Sequence, residues 1–431
     1  AANTQTTITM GNNNTQIADG KTLTIDASTS ADGFTFAGHA TEDDGFLSIT
    51  GGTAADSITG ASAADTIKGG TGADTITGGK GADSLTGGTG AELYKYSAVD
   101  QSTTNSTDEI TDWLSGTDKL QITYSNTATS SHLSWDSTVS TAAAGTSAVQ
   151  DSLSGKLGQT IYDTTNSKLY VNFGSDAVLT TQDYAIKMNA HATAANTVAE
   201  GDINWSISTG LGNDTITAGG GVDTIVSGAG ADSIVSGNGG DHITAGAGAD
   251  TITGGTGADT IYGNAGNDTI NLSAADGAED RVYFETTTAL NGNDTVNHFE
   301  AGANKDDLYF DFTTTGSIAQ NSLLSNGTDI QISGDGATDA NLGLLVFTAN
   351  CADNTAVVAA AIAMDSIEDE TNFFMITSTD VEGAVGATVH YFDGADVSHA
   401  SKCSATVLGT LAGVQLDALV DSNFSQFTPD A

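Results

Sequence analysis

A carboxylate recurs every nine residues in two stretches of this chain. In the first, Asp56, Asp65, Asp74, Asp83 and Glu92 keep the step. In the second, Asp214, Asp223, Asp232, Asp241, Asp250, Asp259 and Asp268 keep it without a missed beat. A large aliphatic stands two residues behind each Asp: Ile58, Ile67, Ile76 and Leu85, then Ile216, Ile225, Ile234, Ile243, Ile252, Ile261 and Ile270. The unit reads G-G-x-G-x-D-x-U-x, where U is the aliphatic. A short fixed period marks a repeat architecture, in which each unit buries its apolar face only against its neighbours.

Nine residues divide into a tight turn of about six and a strand of about three. The U side chain points inward and stacks on the U of neighbouring turns. Glycine gives the turn backbone angles closed to other residues and leaves carbonyl oxygens uncovered. Successive units alternate sides, so turns two units apart lie one above the other. Carbonyls and carboxylates then face each other as a cage of about six hard oxygens, which suits calcium; magnesium gives up its waters too reluctantly. The candidate metal ligands are the twelve acids above and the turn carbonyls around Gly70, Gly72, Gly79, Gly81, Gly219, Gly221, Gly228, Gly230, Gly237, Gly239, Gly246, Gly248, Gly255 and Gly257.

The stacked pairs follow by arithmetic. The first stretch pairs Asp56 with Asp74, Asp65 with Asp83, and Asp74 with Glu92. The second pairs Asp214 with Asp232, Asp223 with Asp241, Asp232 with Asp250, Asp241 with Asp259, and Asp250 with Asp268. Three pairs and five make about eight calcium ions, on one ion per pair. The chain has 54 acidic and 11 basic residues, a net charge of −43. Eight divalent ions would bring that to about −27, and without them stacked carboxylates repel at close range. Metal binding and folding are therefore expected to be one event.

These blocks resemble the RTX calcium-binding repeats of proteins exported by bacterial type I secretion. GGTGADTIT at Gly69, GGKGADSLT at Gly78 and GGTGADTIY at Gly254 are strict copies. The resemblance implies a mainly β fold with two right-handed parallel β-roll (β-solenoid) modules, interleaved β-rich domains and a few short helices. Departures are local. Ala54, Ala61 and Ala63 replace glycines, so weaker sites are expected at Asp56 and Asp65. Glu92 replaces Asp and either caps the stack or leaves its last site poor. Ala218, Ser227, Ser236 and Ala245 take the first glycine position, where a small residue suffices. His242 fills a slot mostly held by Thr or Ser and reads as a solvent-facing substitution.

The organisation expected is a β-rich lead-in over 1–50, a first roll over 51–95, and a cap with a β-rich insert over 96–204. A second roll follows over 205–272, then a cap and C-terminal β-rich part over 273–431. Strands are expected at TLTID, FTFAG and FLSITGG, with Ile49 already in phase with Ile58, and Ile207 in phase with Ile216. After the first block, Asp108, Ile110, Asp112, Trp113, Gly116, Asp118, Lys119 and Leu120 resemble the segment that closes the roll in serralysin-like proteases. A looser copy has Asp294, Val296, Phe299, Gly302 and Leu308. Each is expected to cover the end of a ladder that would otherwise pair with another chain. Amphipathic strands are read in TIYDTTNSKLYVNF and DYAIKMNA, and further strands in NFFMITS, ATVHYFDG and SATVLGTL. Short helices are read near Ala142–Ser154 and after a cap at Asp353 or Asn354. The end, GTLAGVQLDALVDSNFSQF, resembles the C-terminal part of RTX surface-layer and other type I-secreted proteins.

The acidic balance argues against nucleic acid, which needs clustered Lys and Arg, and against anionic membranes. The longest apolar run, Ala356 to Met364, is too short to span a bilayer. AANTQTTITM has neither the basic start nor the apolar core of a signal peptide, and the absent initiator Met points to processing or to a fragment. Cys351 and Cys403 fit no zinc spacing; a disulfide and two free thiols both remain open. H-E-x-x-H and G-x-S-x-G are absent, so no enzyme is expected. The leading expectation is a secreted structural protein of the bacterial cell surface, folding on extracellular calcium and assembling with itself into a layer or filament. Cell-surface polysaccharide is a further candidate partner. A calcium-stabilised part of an RTX adhesin, or the secretion and folding tail of an RTX enzyme, are the other readings.

Overall fold

Alternation of small polar and large aliphatic residues in Thr-Ile-Thr and Ser-Leu-Thr sends every second side chain to one face of a strand. In the computed structural model those aliphatics line up in columns. The structure describes residues 6–10, 17, 20–39, 45–97, 101–103, 105–125, 134–136, 139–142, 157–163, 166–173, 184–190, 198–273, 276–284, 292–299, 306–311, 329–332, 343–350, 371–378, 386–395, 405–412 and 424–427. They form two compact units. The first comprises 1–126, 133–207 and 216–224; the second comprises 127–132, 208–215 and 225–431.

In the first unit one parallel series runs Thr6–Thr9, Phe34–Ala37, Ser57–Thr59, Thr75–Thr77, Leu93–Tyr96, Lys119–Ser125. Its inward column is Phe36, Ile58, Ile76, Tyr94 and Leu120, in direct register. A second series runs Thr22–Asp26, Phe46–Thr50, Thr66–Thr71, Ser84–Thr89, Asp108–Trp113. Its column is Ile49, Ile67, Leu85 and Ile110. All nine are buried. The expected lead-in strands are present, and Ile49 is in phase.

The segment expected to close the first ladder instead continues it. Asp108–Trp113 pairs in parallel with Ser84–Thr89 on one side and with Tyr184–Ala190 on the other. The sheet then turns antiparallel through Lys168–Val171 and Thr160–Asp163. A strand that keeps the inward aliphatic at the right register joins the ladder whatever the length of the loop before it, because pairing and burial are what hold it. Asp202 ties the turn at Leu114–Asp118 in place. Its carboxylate accepts the Gly116 amide at 2.7 Å, the Ser115 hydroxyl at 2.5 Å and the Ala199 amide at 2.9 Å.

In the second unit Ile234, Ile252, Ile270, Val296 and Leu411 are in parallel register, as are Ile243, Ile261, Val282, Leu308 and Phe424. Beyond Ala405–Ala412 the first of these sheets goes on through Gly386–Ala395, Thr371–Ser378, Gly343–Asn350 and Asp329–Ile332. The strands expected at NFFMITS, ATVHYFDG and SATVLGTL thus form. Among the described residues the helical structure is one 3-10 turn, Glu200–Asp202. The two expected helices, near Ala142–Ser154 and after Asp353, fall almost wholly outside the described residues, as do Cys351 and Cys403. Among the described residues no helix is long and apolar enough to cross a membrane.

The columns carry the stability. Ile252 is fully buried between Ile234 and Ile270. Ile252→Ala is expected to cost roughly 2–5 kcal/mol, since a thin core cannot collapse onto the missing methyls. Chemical denaturation in saturating calcium would measure it, and a loss well under 1 kcal/mol would contradict the column as the core.

Candidate metal centre

The turns are built on glycines held at angles other residues avoid. All fourteen glycines singled out in the sequence have positive φ, from 94° at Gly219 to 145° at Gly230. Space demands glycine as strongly as angle does. A Cβ on Gly79 would stand 1.9 Å from the Ala61 carbonyl oxygen, and one on Gly255 would stand 1.8 Å from that of Gly237. Turns two units apart therefore meet backbone to backbone, with carbonyls in the gap.

The acids of both blocks are buried, each 3% exposed or less. One carboxylate oxygen of each interior Asp accepts the amide of the residue two units earlier. Asp74 takes Asp56 at 2.8 Å, Asp83 takes Asp65 at 2.8 Å, and Asp223 takes Trp205 at 2.6 Å. Asp232 takes Asp214 at 2.7 Å, Asp250 takes Asp232 at 2.8 Å, Asp259 takes Asp241 at 2.9 Å, and Asp268 takes Asp250 at 2.8 Å. The amide of Glu92 goes in the same way to Asp118 at 3.2 Å.

The other oxygen is the informative one. Oδ2 of Asp74, Asp83, Asp232, Asp250, Asp259 and Asp268, and Oε1 of Glu92, are buried with no hydrogen-bond partner. A buried carboxylate oxygen without a partner is costly. A row of them beside open carbonyls is a donor set of hard oxygens, which fits calcium. Among the described residues no three His, Cys, Asp or Glu side chains gather as a metal cluster on their own. Backbone carbonyls must therefore supply part of any shell, as the glycine geometry allows. The fit is poorer at Asp56 and Asp65, whose Oδ2 atoms accept the amides of Gly52 at 2.6 Å and Ala61 at 2.7 Å.

Five acids outside the period belong to the same row. Asp108 accepts the amide of Asp83, Asp118 that of Glu92, and Asp280 that of Asp259. Asp294 accepts that of Asp268, and Asp306 that of Asp280. The intervals have grown to between 21 and 26 residues, so a nine-residue search passes over them. Each still reads D-x-U, with Ile110, Leu120, Val282, Val296 or Leu308 two residues on. That was the available signal. His242 is exposed and lies against Tyr262, ring centroids 5.4 Å apart, away from the acids.

Burial pushes these carboxyls up, and the facing carboxylate adds to it against the pull of the amide donors. Asp74 and Asp250 rise to about 6, Asp268 to about 7 and Asp259 to about 8. Asp83 and Glu92 rise as well, for the same first reason. Acids raised in the folded state bind more protons folded than unfolded. Their contribution is fully present below the unfolded value near 4 and is lost as pH rises through 6 to 8. The metal-stripped chain is therefore expected to show more ordered β-structure at pH 5 than at pH 8 by circular dichroism. Equal or greater order at pH 8 would contradict the burial of these acids in the metal-free ladder.

No curated protein matches the chain. The family of the RTX calcium-binding nonapeptide repeat matches it in four copies, at residues 48–70, 59–91, 206–234 and 235–270. Those residues contain the glycine turns and eleven of the twelve periodic acids described above, Glu92 falling just beyond them. Repeats of this kind bind calcium, and residues 48–91 and 206–270 of this chain carry them.

Proposed function

We propose that this is a secreted structural protein of a bacterial surface layer or extracellular matrix, exported unfolded, folded by calcium outside the cell and then assembled with copies of itself. The observation that carries the reading is the row of buried carboxylate oxygens without partners. The chain has net charge −43, and residues 203–272 hold no Lys or Arg, so the second block has no basic side chain of its own to neutralise its part of the row. Asp74, Asp83, Glu92 and the acids from Asp214 to Asp268, with the turn carbonyls, are the residues that would hold calcium. Calcium would supply the missing positive charge and a partner for each open oxygen. In low calcium the acids repel and the chain stays export-competent; in millimolar calcium the rungs close.

Assembly is supported by what the chain is made of: stacked rungs, threonine-rich outer faces and no catalytic motif. The adhesin reading needs an exposed ligand platform. The best candidate, the column Tyr262, Tyr283 and Tyr309, stacks ring on ring at 4.2 and 4.6 Å. Its faces are spent on each other, which leaves little for a sugar to stack on.

Calcium should be titrated at fixed protein concentration, with circular dichroism and negative-stain images recorded together. The expected result is that β-signal and ordered sheets or filaments arise in one calcium range and that a chelator reverses both. A chain that folds but stays monomeric at high concentration would sink the assembly reading and favour the adhesin.

A further inference from the structure

The first two turns of the first block differ from the next two, those of Asp74 and Asp83, in how they use their acid. Asp56 has both oxygens engaged: Oδ1 accepts the Phe34 amide at 2.7 Å and Oδ2 the Gly52 amide at 2.6 Å. Asp65 repeats this with Leu47 at 2.8 Å and Ala61 at 2.7 Å. In both, the second donor is the amide four residues back in the acid's own turn. At Asp74 and Asp83 that bond is absent, and Oδ2 stands buried and open.

The cause is in the sequence. Gly70, Gly72, Gly79 and Gly81 take positive φ. Ala54, Ala61 and Ala63 stand at three of the four equivalent places and Gly52 at the fourth, and none of the four has positive φ. A Cβ makes that region costly. The turns without positive φ deliver an amide to the acid instead. Asp118 provides an independent instance outside any nonapeptide: its Oδ2 accepts the Leu114 amide four residues back, at 2.7 Å. Two charge-assisted amide bonds give both carboxylate oxygens partners and offset part of the burial that still pushes the Asp65 carboxyl up to about 6.

We propose that the turns closed by Asp56 and Asp65 hold no ion, and that residues 45–68 are a metal-independent start of the ladder. The glycine turns from Gly69 onward add to it as calcium arrives. This start presents two formed rungs, Ser57–Thr59 and Thr66–Thr71, whose edges fix the register of the strands that follow. It converts a costly nucleation into addition on a template. The inference rests on calcium-driven folding of the later turns, and the test separates the two.

Hydrogen exchange should be followed by mass spectrometry on the full chain, metal-stripped and in saturating calcium. The expected result is that amides of 45–68 in the stripped chain exchange about a hundredfold more slowly than those of 72–95 and 228–270, a contrast that saturating calcium removes. Equal loss of protection everywhere in the stripped chain overturns this inference and leaves calcium-driven folding standing. Full protection everywhere in the stripped chain overturns both. Bound calcium in Asp56→Asn/Asp65→Asn and in Asp74→Asn/Asp83→Asn, measured by equilibrium dialysis, gives a second readout. The first pair is expected to bind as many ions as the unaltered chain and the second pair fewer. Equal losses in the two would overturn the proposal, and if the first pair fails to fold, the exchange experiment on the unaltered chain decides.

Discussion

Asp250→Asn is expected to stabilise the metal-free chain and to destabilise the calcium-loaded one. Asp250 sits in mid-row, with its Oδ1 on the Asp232 amide and its own amide on Asp268. An Asn oxygen can still accept the Asp232 amide, so the backbone ladder is kept. The charge is lost. Without metal, that charge is a burden: beyond burial, the Asp250 carboxylate pushes Asp268 up, and Asp250 is itself pushed up by Asp232. Removing it should raise the ordered fraction of the stripped chain at pH 8. With calcium, the same substitution removes a charged hard oxygen from the site, and charge count is a main determinant of calcium affinity. The calcium midpoint for β-signal should rise about tenfold, which is about 1.4 kcal/mol. Circular dichroism against calcium, started from stripped protein, reads both effects. A substitution that weakens order in both conditions would mean that the carboxylate serves only as a hydrogen-bond acceptor.

Gly248→Val should be among the most damaging single changes in the second unit. Gly248 has φ of 143°, and a Cβ there would stand 1.7 Å from the Gly230 carbonyl oxygen. The opposed atom is backbone, so no rotamer change relieves the clash. The turns would have to separate, and the 2.6 Å bond from the Gly248 amide to the Ala265 carbonyl would go with them. Backbone strain of 1–3 kcal/mol and a lost buried hydrogen bond together put the cost at about 4 kcal/mol or more. Calcium should then fail to order the unit, or should do so only at more than tenfold higher concentration. Gly201→Ala is the matched control, because a Cβ at Gly201 meets nothing within 4 Å. If Gly248→Val titrates within twofold of that control, the turns do not pack as described.

The periodic part of the chain was open to reading from its residues. Nine-residue spacing of Asp and Ile states where the turns are, which side chains stack, and that hard oxygens face each other. Those are local consequences of geometry: a strand of three residues has one inward position, and a tight turn with positive φ needs glycine. The weaker fit at Asp56 and Asp65 was also legible, as a loss of glycine, though not the amide that takes the place of an ion there.

Tertiary structure alone decided the rest. Asp108, Asp280, Asp294 and Asp306 join the row through loops whose lengths carry no phase, because their strands are placed by long-range pairing and burial of one aliphatic each. For the same reason Asp108–Trp113 became a rung with neighbours on both sides where an end-cap was expected. The boundaries of the compact units ignore the repeat: residues 216–224 group with the first unit and 225–271 with the second. A repeat sequence specifies each turn against its neighbour. Which strands beyond the repeat become neighbours depends on what remains to be buried once the turns are in place, and spacing along the chain does not encode that.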